Sequence, residues 1–303
     1  IIGRLVGSEM CIRDSPVKVT ADGEIKEVVG NWSIWIDGEF GEFTLGKTKP
    51  RSRILDEKSF HIGIDKRLSD DGDLFGFALG LGEDTPVDRN HDSHMESRNY
   101  SLSTYGKFDD RSYALQYIFG VSRLEFNSDR LDGEELLTGE REANQVYGSL
   151  ALISSLSNES SNWQLSPYIR IDGSYTEFDE FSEIGGEAAL TFDELTLSNA
   201  KASIGTDISY LFTGSKLNVM PYITFEYGLD YSETSSQNMY YTVEGPTRNY
   251  ILDLDDGMKT HNWQVDIGLM LETFSAMNTT IGCRFQGRSS YFSDYSSISN
   301  NDI

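Results

Sequence analysis

From Trp32 onward the chain is a succession of two-residue alternations, apolar then polar, broken at intervals by turn signals. In Ser59–Leu68 one face carries Phe60, Ile62, Ile64 and Leu68, and the other His61, Gly63, Asp65 and Arg67. Leu74–Gly82 sets Phe75, Phe77, Leu79 and Leu81 against Gly76, Ala78, Gly80 and Gly82. Tyr113–Val121 and Trp263–Leu271 repeat the pattern. A period of two is the signature of a strand whose faces meet different surroundings. It predicts eleven strands, over 32–45, 58–68, 73–82, 95–108, 111–126, 142–156, 163–178, 197–212, 217–231, 260–274 and 278–292. Each has roughly the ten residues or more that a tilted strand needs to cross a bilayer. No helix-period segment intervenes, which excludes a parallel βαβ arrangement.

The connections alternate in length. Short ones are read at Ser69–Gly72, Asp109–Asp110, Ser157–Asn162, Thr213–Lys216 and Ser275–Met277, and long, mostly acidic ones at 46–57, 83–94, 127–141, 179–196 and 232–259. Tight turns at one rim and long loops at the other are the habit of outer-membrane barrels. The faces sort by charge as well. The apolar face is almost free of it, apart from Lys66, beside a short turn where it can snorkel, and Arg123, at a point where the strand has left the bilayer or is bulged. Charges collect opposite, at Asp37, Glu39, Asp65, Arg67, Lys107, Arg170, Asp172, Asp207, Glu226, Asp266, Glu272 and Arg284. The expected architecture is an all-β, antiparallel up-and-down transmembrane β-barrel with a hydrated, ion-paired lumen. Trp32, Trp163 and Trp263, near strand starts, fit interfacial girdles.

Composition alters this picture only where averaging misleads. A mean hydropathy of −0.40 reads as soluble, yet alternation cancels the membrane signal of such a barrel. No apolar run is long enough for a transmembrane helix. The 303 residues carry a net charge of −24, which argues against nucleic acid as a partner. Two cysteines, Cys11 and Cys283, supply neither a disulfide framework nor a thiol metal site. The many Tyr and Phe and few Pro favour strands.

Several short stretches, in order, are similar to one family. They are Phe60–Leu68 (FHIGIDKRL), Leu74–Gly82 (LFGFALGLG), Tyr100–Gly106 (YSLSTYG), Pro167–Tyr175 (PYIRIDGSY) with Phe181–Gly186 (FSEIGG), Ala202–Phe212 (ASIGTDISYLF) and Pro221–Tyr227 (PYITFEY). In that order and spacing, from Asn31 to about Asn301, the chain resembles the autotransporter β-domain, the translocator of type V secretion. The resemblance implies a twelve-stranded barrel in the bacterial outer membrane. It also implies an N-terminal passenger carried to the cell surface, and the barrel assembly machinery and outer-membrane lipid as partners. The chain stops at Asn301-Asp302-Ile303, so the last of about 12 strands is expected to be missing from it. Leu5–Ser15 (LVGSEMCIRDS) looks like translated sequencing-adapter sequence. The expected division is therefore 1–15 foreign, 16–31 a linker or pore segment and 32–303 the barrel.

Candidate chemistry is sparse. His91-x-x-His94 lacks a third ligand, and Asp253–Gly257 lacks the spacing of a calcium loop, so both read as solvated loops and no cofactor or metal is expected. Gly76, Gly80 and Gly82 form no phosphate loop, since no helix follows them, and read as lumen space or relief of curvature. No catalytic residues are expected. The expected lumen-lining set is Asp37, Glu39, Asp65, Arg67, Arg170, Asp172, Asp207, Glu226, Asp266 and Arg284. Two further readings are a stand-alone porin or adhesin-like barrel without a passenger, and a rim hydrolase built on His61 and His261.

Overall fold

β-branched and aromatic residues on one side of a two-residue repeat favour a pleated, half-buried surface, and the chain forms strands wherever that repeat runs. The computed structural model describes residues 17–19, 25–27, 32–45, 53–69, 72–87, 93–110, 112–156, 161–215, 217–232, 235–255, 259–273 and 279–292. The long strands are β1 (Trp32–Leu45), β2 (Arg53–Arg67), β3 (Leu74–Val87), β4 (Ser93–Asp110), β5 (Tyr113–Asp132), β6 (Glu135–Ser154), β7 (Trp163–Phe178), β8 (Leu195–Tyr210), β9 (Leu217–Ser232), β10 (Lys259–Thr273) and β11 (Thr279–Phe292). Each pairs antiparallel with its neighbours in sequence, in one continuous order from β1 to β11, and Phe212–Thr213 adds a short rung on β9. Val17–Val19 pairs antiparallel with Ile25–Glu27 in the segment expected to be a linker. Residues 1–15, where the foreign stretch is expected, and 293–303, before which the expected strands end, lie outside the described residues.

All eleven expected strands exist, but most run further towards the long-loop rim than the alternation suggested. The connections there shrink to 46–52 and 88–92 for the first two pairs. The expected loop 127–141 is instead the end of a β5–β6 hairpin, closed by Gly133-Glu134. Gly133, at φ +66, takes the first central position, which a type II′ turn gives to glycine. Polar residues on both faces end the apolar pattern but not the ladder, because hydrogen bonding continues beyond the hydrocarbon.

The sidedness is inverted relative to a water-soluble sheet. Along β7, Tyr168, Arg170 and Asp172 are 9%, 5% and 3% exposed, whereas Ile169 and Ile171 between them are 56% and 66% exposed. The same holds around the sheet: Ile36, Ile62, Phe77, Leu79, Leu102, Phe119, Leu150, Phe225 and Ile267 all stand exposed. Buried polar groups and an unbroken exposed apolar band belong to a sheet whose outer solvent is lipid. Trp32 and Trp163 stand at the short-turn rim and Trp263 at the opposite one, all exposed on the outer face. Lys66 Nζ lies 5.9 Å from the centre of the Trp32 ring.

The contrast between two equally exposed isoleucines tests this directly. Ile171 and Ile184 are 66% and 69% exposed, but Ile184 lies beyond the band, in the connection after β7. Ile171→Arg is expected to lower folding free energy in a bilayer by about 2–4 kcal/mol, and Ile184→Arg by at most ~1 kcal/mol. Equal costs in denaturant titrations of the two variants in liposomes would contradict the placement.

Candidate functional site

The inner face of β7–β10 is built around one carboxylate. Glu226 on β9 accepts from Tyr168 Oη, Arg170 Nη2 and Lys201 Nζ, each at 2.8 Å. Arg170 Nε donates in turn to Asp172 at 3.1 Å. The arrangement reaches from β7 across β8 to β9, and β8 permits it because Gly205 stands opposite both Tyr168 and Glu226. A Cβ at Gly205 would sit 2.4 Å from the Tyr168 ring and 2.7 Å from the Phe225 carbonyl oxygen, so only glycine lets the ring lie over the strand. Two further carboxylates on this wall are held by neutral donors. Thr224 donates to Asp207 at 2.5 Å and the Gln264 amide to Asp266 at 2.9 Å. Charges taken out of bulk water persist only when paired and hydrogen-bonded, and this wall pairs them.

The inner face of β1–β6 differs. Trp35 Nε1 donates to Tyr105 Oη at 2.5 Å, and Tyr105 donates to Asp65 at 3.0 Å. Leu74, Ala78, Ile118 and Tyr147 pack with Tyr105 into the buried cluster of this side. The aromatic-over-glycine arrangement recurs: Trp35 covers Gly63, Tyr105 covers Gly76 and Tyr147 covers Gly120. The expectation that Gly76 leaves lumen space is therefore corrected, because Tyr105 and Asp65 occupy the room its missing side chain leaves. Gly80 likewise receives Ser101 and His61.

At the long-loop rim the connections 179–194 and 233–258 are not plain loops. Phe181–Ser182, Leu190–Phe192, Ser235–Tyr241 and Tyr250–Asp255 form a four-stranded antiparallel sheet in that order. Two arginines of the β5–β6 hairpin hold it. Arg130 makes a two-pronged contact with Glu183, at 3.2 and 2.6 Å. Arg141 donates to the Asp179 carbonyl at 2.8 Å, the Asp193 carbonyl at 2.9 Å and Gln237 Oε1 at 3.0 Å, while lying 5.1 and 5.3 Å from the rings of Phe178 and Phe181. Burial pushes the Arg141 guanidinium down and hydrogen bonding to Glu183 holds Arg130 up from the ordinary value. Both guanidiniums remain charged at neutral pH.

Against known proteins, the Autotransporter beta-domain family matches residues 38–288. The chain belongs to the autotransporter β-domain family. An autotransporter β-domain is an outer-membrane translocator barrel that serves the secretion of a passenger. Two solved structures share the fold. The translocator domain of autotransporter NalP from Neisseria meningitidis aligns with a TM-score of 0.58 at 14% identity, over 86% of this chain and 88% of that one. The beta domain of the Bordetella autotransporter BrkA aligns with a TM-score of 0.57 at 10% identity, over 87% of this chain and 93% of that one. No curated protein sequence matches this chain.

In this β-domain the structure brings Arg170, Asp172 and Glu226 into one cluster and places Asp65, Asp207 and Asp266 on the same inner face. Asp37 shares that face, opposite His61, but is exposed, and Arg67 is half-buried opposite Leu74. Glu39 and Arg284 stand opposite Ser59 and Gly268, with side chains outside the described residues. Lys201, Tyr168, Tyr105 and Trp35 were not singled out in the sequence. Lys201 shares the odd numbering of Asp207 on β8, so strand parity alone placed it inward. Arg123 lies on the outer face in a register unbroken from Tyr113 to Asp132, which rules out a bulge and leaves the alternative that the strand has left the bilayer there. His261 faces outward beside Tyr227 and Trp263, whereas His61 faces inward over Gly80, so the two share no site. His91 lies outside the described residues, and His94 is exposed opposite Asp129. Asp253 and Asp255 lie in the last strand of the rim sheet, with side chains outside the described residues, as does Gly257 altogether.

Glu226→Ala is expected to lower the stability of the β-domain by about 3 kcal/mol, because it leaves Arg170 buried with one carboxylate instead of two. An unchanged denaturation midpoint would show that the cluster is dispensable. Arg141→Ala is expected to open 179–194 and 233–258 to protease on intact cells while the barrel keeps its heat-modifiable gel mobility. Equal cleavage rates in variant and parent would dissociate Arg141 from the order of the rim.

Proposed function

We propose that this β-domain conducts its passenger through a hydrated, predominantly anionic lumen and carries no catalytic residue of its own. The observation that carries the reading is the buried ion-paired wall of β7–β10 facing away from the apolar outer surface. Asp37, Glu39, Asp65, Arg67, Arg170, Asp172, Asp207, Glu226, Asp266 and Arg284 line the path. Fixed pairs among them keep the wall polar without presenting a row of free like charges to a passing chain. The separation of His61 and His261 supports transport rather than hydrolysis as the work of the domain. Residues 32–303 constitute the barrel, 16–31 a linker or pore segment and 1–15 a foreign stretch. The outer surface is served by outer-membrane lipid, and insertion by the barrel assembly machinery.

Conductance tests the lumen. Asp37, Asp65, Asp109, Asp172, Asp207, Glu226 and Asp266 outnumber Arg67, Lys107, Arg170 and Lys201 on the described inner wall. Channels in planar bilayers under a salt gradient are therefore expected to prefer cations, and Asp172→Asn with Asp266→Asn to weaken that preference. Anion preference, or selectivity indifferent to the paired substitution, would remove these residues from the path. An upstream epitope that stays inaccessible to protease on cells expressing the complete gene would favour the reading without a passenger.

A further inference from the structure

Arg123 is an outward cation that the translocator reading leaves without a role. Outer-face residues of β5 run Tyr113, Leu115, Tyr117, Phe119 and Val121 before Arg123. At ~3.3 Å per residue and a tilt of about 40°, Tyr113 to Val121 spans roughly 20 Å of bilayer, close to the ~25 Å height of an apolar band. Arg123 thus sits where hydrocarbon gives way to headgroups at the external leaflet. Beneath it the outer face carries an open groove of about 860 Å³ whose lining includes Phe60, Ile62, Leu79, Leu102, Val121 and Val146, with Arg123, Asn144, Tyr175 and Glu177 at its polar end.

The row above is a cross-strand ladder of charge. Lys58 stands opposite Glu83, Glu83 opposite Arg98, Arg98 opposite Glu125, and Glu125 opposite Glu142. Arg123 itself is ion-paired with Glu142 and, at 3.9 Å, with Glu125. These groups are exposed or half-exposed, and such pairs hold an arginine weakly, whereas a phosphate offers the guanidinium two parallel charge-assisted hydrogen bonds.

We propose that this groove and Arg123 form a binding site for a phosphorylated, multiply acylated glycolipid of the outer leaflet. An acyl chain lies along Ile62, Leu102 and Val121, and a headgroup phosphate exchanges onto Arg123 from Glu142. Two features of the molecule select this occupant. The groove is continuous with the lipid-facing band, so its contents come from the bilayer. Its polar end carries a cation at phosphate level, flanked by carboxylates that suit the sugar hydroxyls of such a headgroup. The inference rests on the outer-membrane barrel reading.

The test is native mass spectrometry of the full chain folded in detergent, with chelator present and equal amounts of bis-phosphorylated lipid A and its dephosphorylated form. The expected result is one lipid A retained per barrel, with about tenfold preference for the phosphorylated form, as a charge-assisted contact supplies. Arg123→Gln is expected to bring the two forms level. Leu102→Trp, which fills the groove, is expected to reduce retention of both. Equal retention of the two forms by the parent protein, a preference that survives Arg123→Gln, or indifference to Leu102→Trp would each overturn the site. Heat-modifiable mobility of the same samples reports on the barrel reading separately, so loss of the barrel and loss of the site are told apart.

Discussion

Hydrocarbon accepts no backbone hydrogen bond, and the rest of this molecule follows from that constraint. A strand placed in lipid must give every N–H and C=O to a neighbouring strand, because an unsatisfied group there costs several kcal/mol. The continuous antiparallel order from β1 to β11, with no register shift in any of its long pairings among the described residues, is the geometric answer. Once the ladder is fixed, the pleat decides the side chains. Whatever faces lipid is apolar, and whatever polar character the sequence carries must turn inward.

That turning inward replaces the hydrophobic core. The most buried charges along β7–β10 are Arg170, Asp172, Glu226 and Asp266, and their stability comes from partners rather than from exclusion of water by grease. The wall of β1–β6 uses aromatic rings laid over glycines, which brings Tyr105 within reach of Asp65 and Trp35 within reach of Tyr105. Both devices span more than two strands, so they brace the curvature of the sheet in a way that ladder bonds, which join neighbours only, do not. Arg141 repeats the logic at the rim, where its guanidinium gathers two carbonyls, an amide and two rings.

Strand existence and facing were legible because a period of two leaves no other reading for Ile62–Ile64 or Phe77–Leu79, and because charge avoided that face. Strand ends were not legible. Between Phe126 and Arg141 the alternation dissolves into polar residues on both sides, and only the Asp132-Gly133 pair announced a turn. The inner charges were legible as a set from parity, but Glu226 as their hub was not, since its partners come from two other strands and depend on register. The rim sheet left the faintest trace. Leu190–Phe192 and Ser235–Tyr241 are far apart in sequence and carry no shared pattern, so nothing local foretells that they pair.

That pairing also carries information about time. Every long strand bonds to one made just before it, so the wall can grow hairpin by hairpin with short loop closures. Leu190–Phe192 has to wait for Ser235–Tyr241, which emerges only after β8 and β9 have been laid down between them. The extracellular sheet is therefore a late clasp: it cannot close over a half-built wall, and its closure marks the moment at which nine of the eleven long strands already stand.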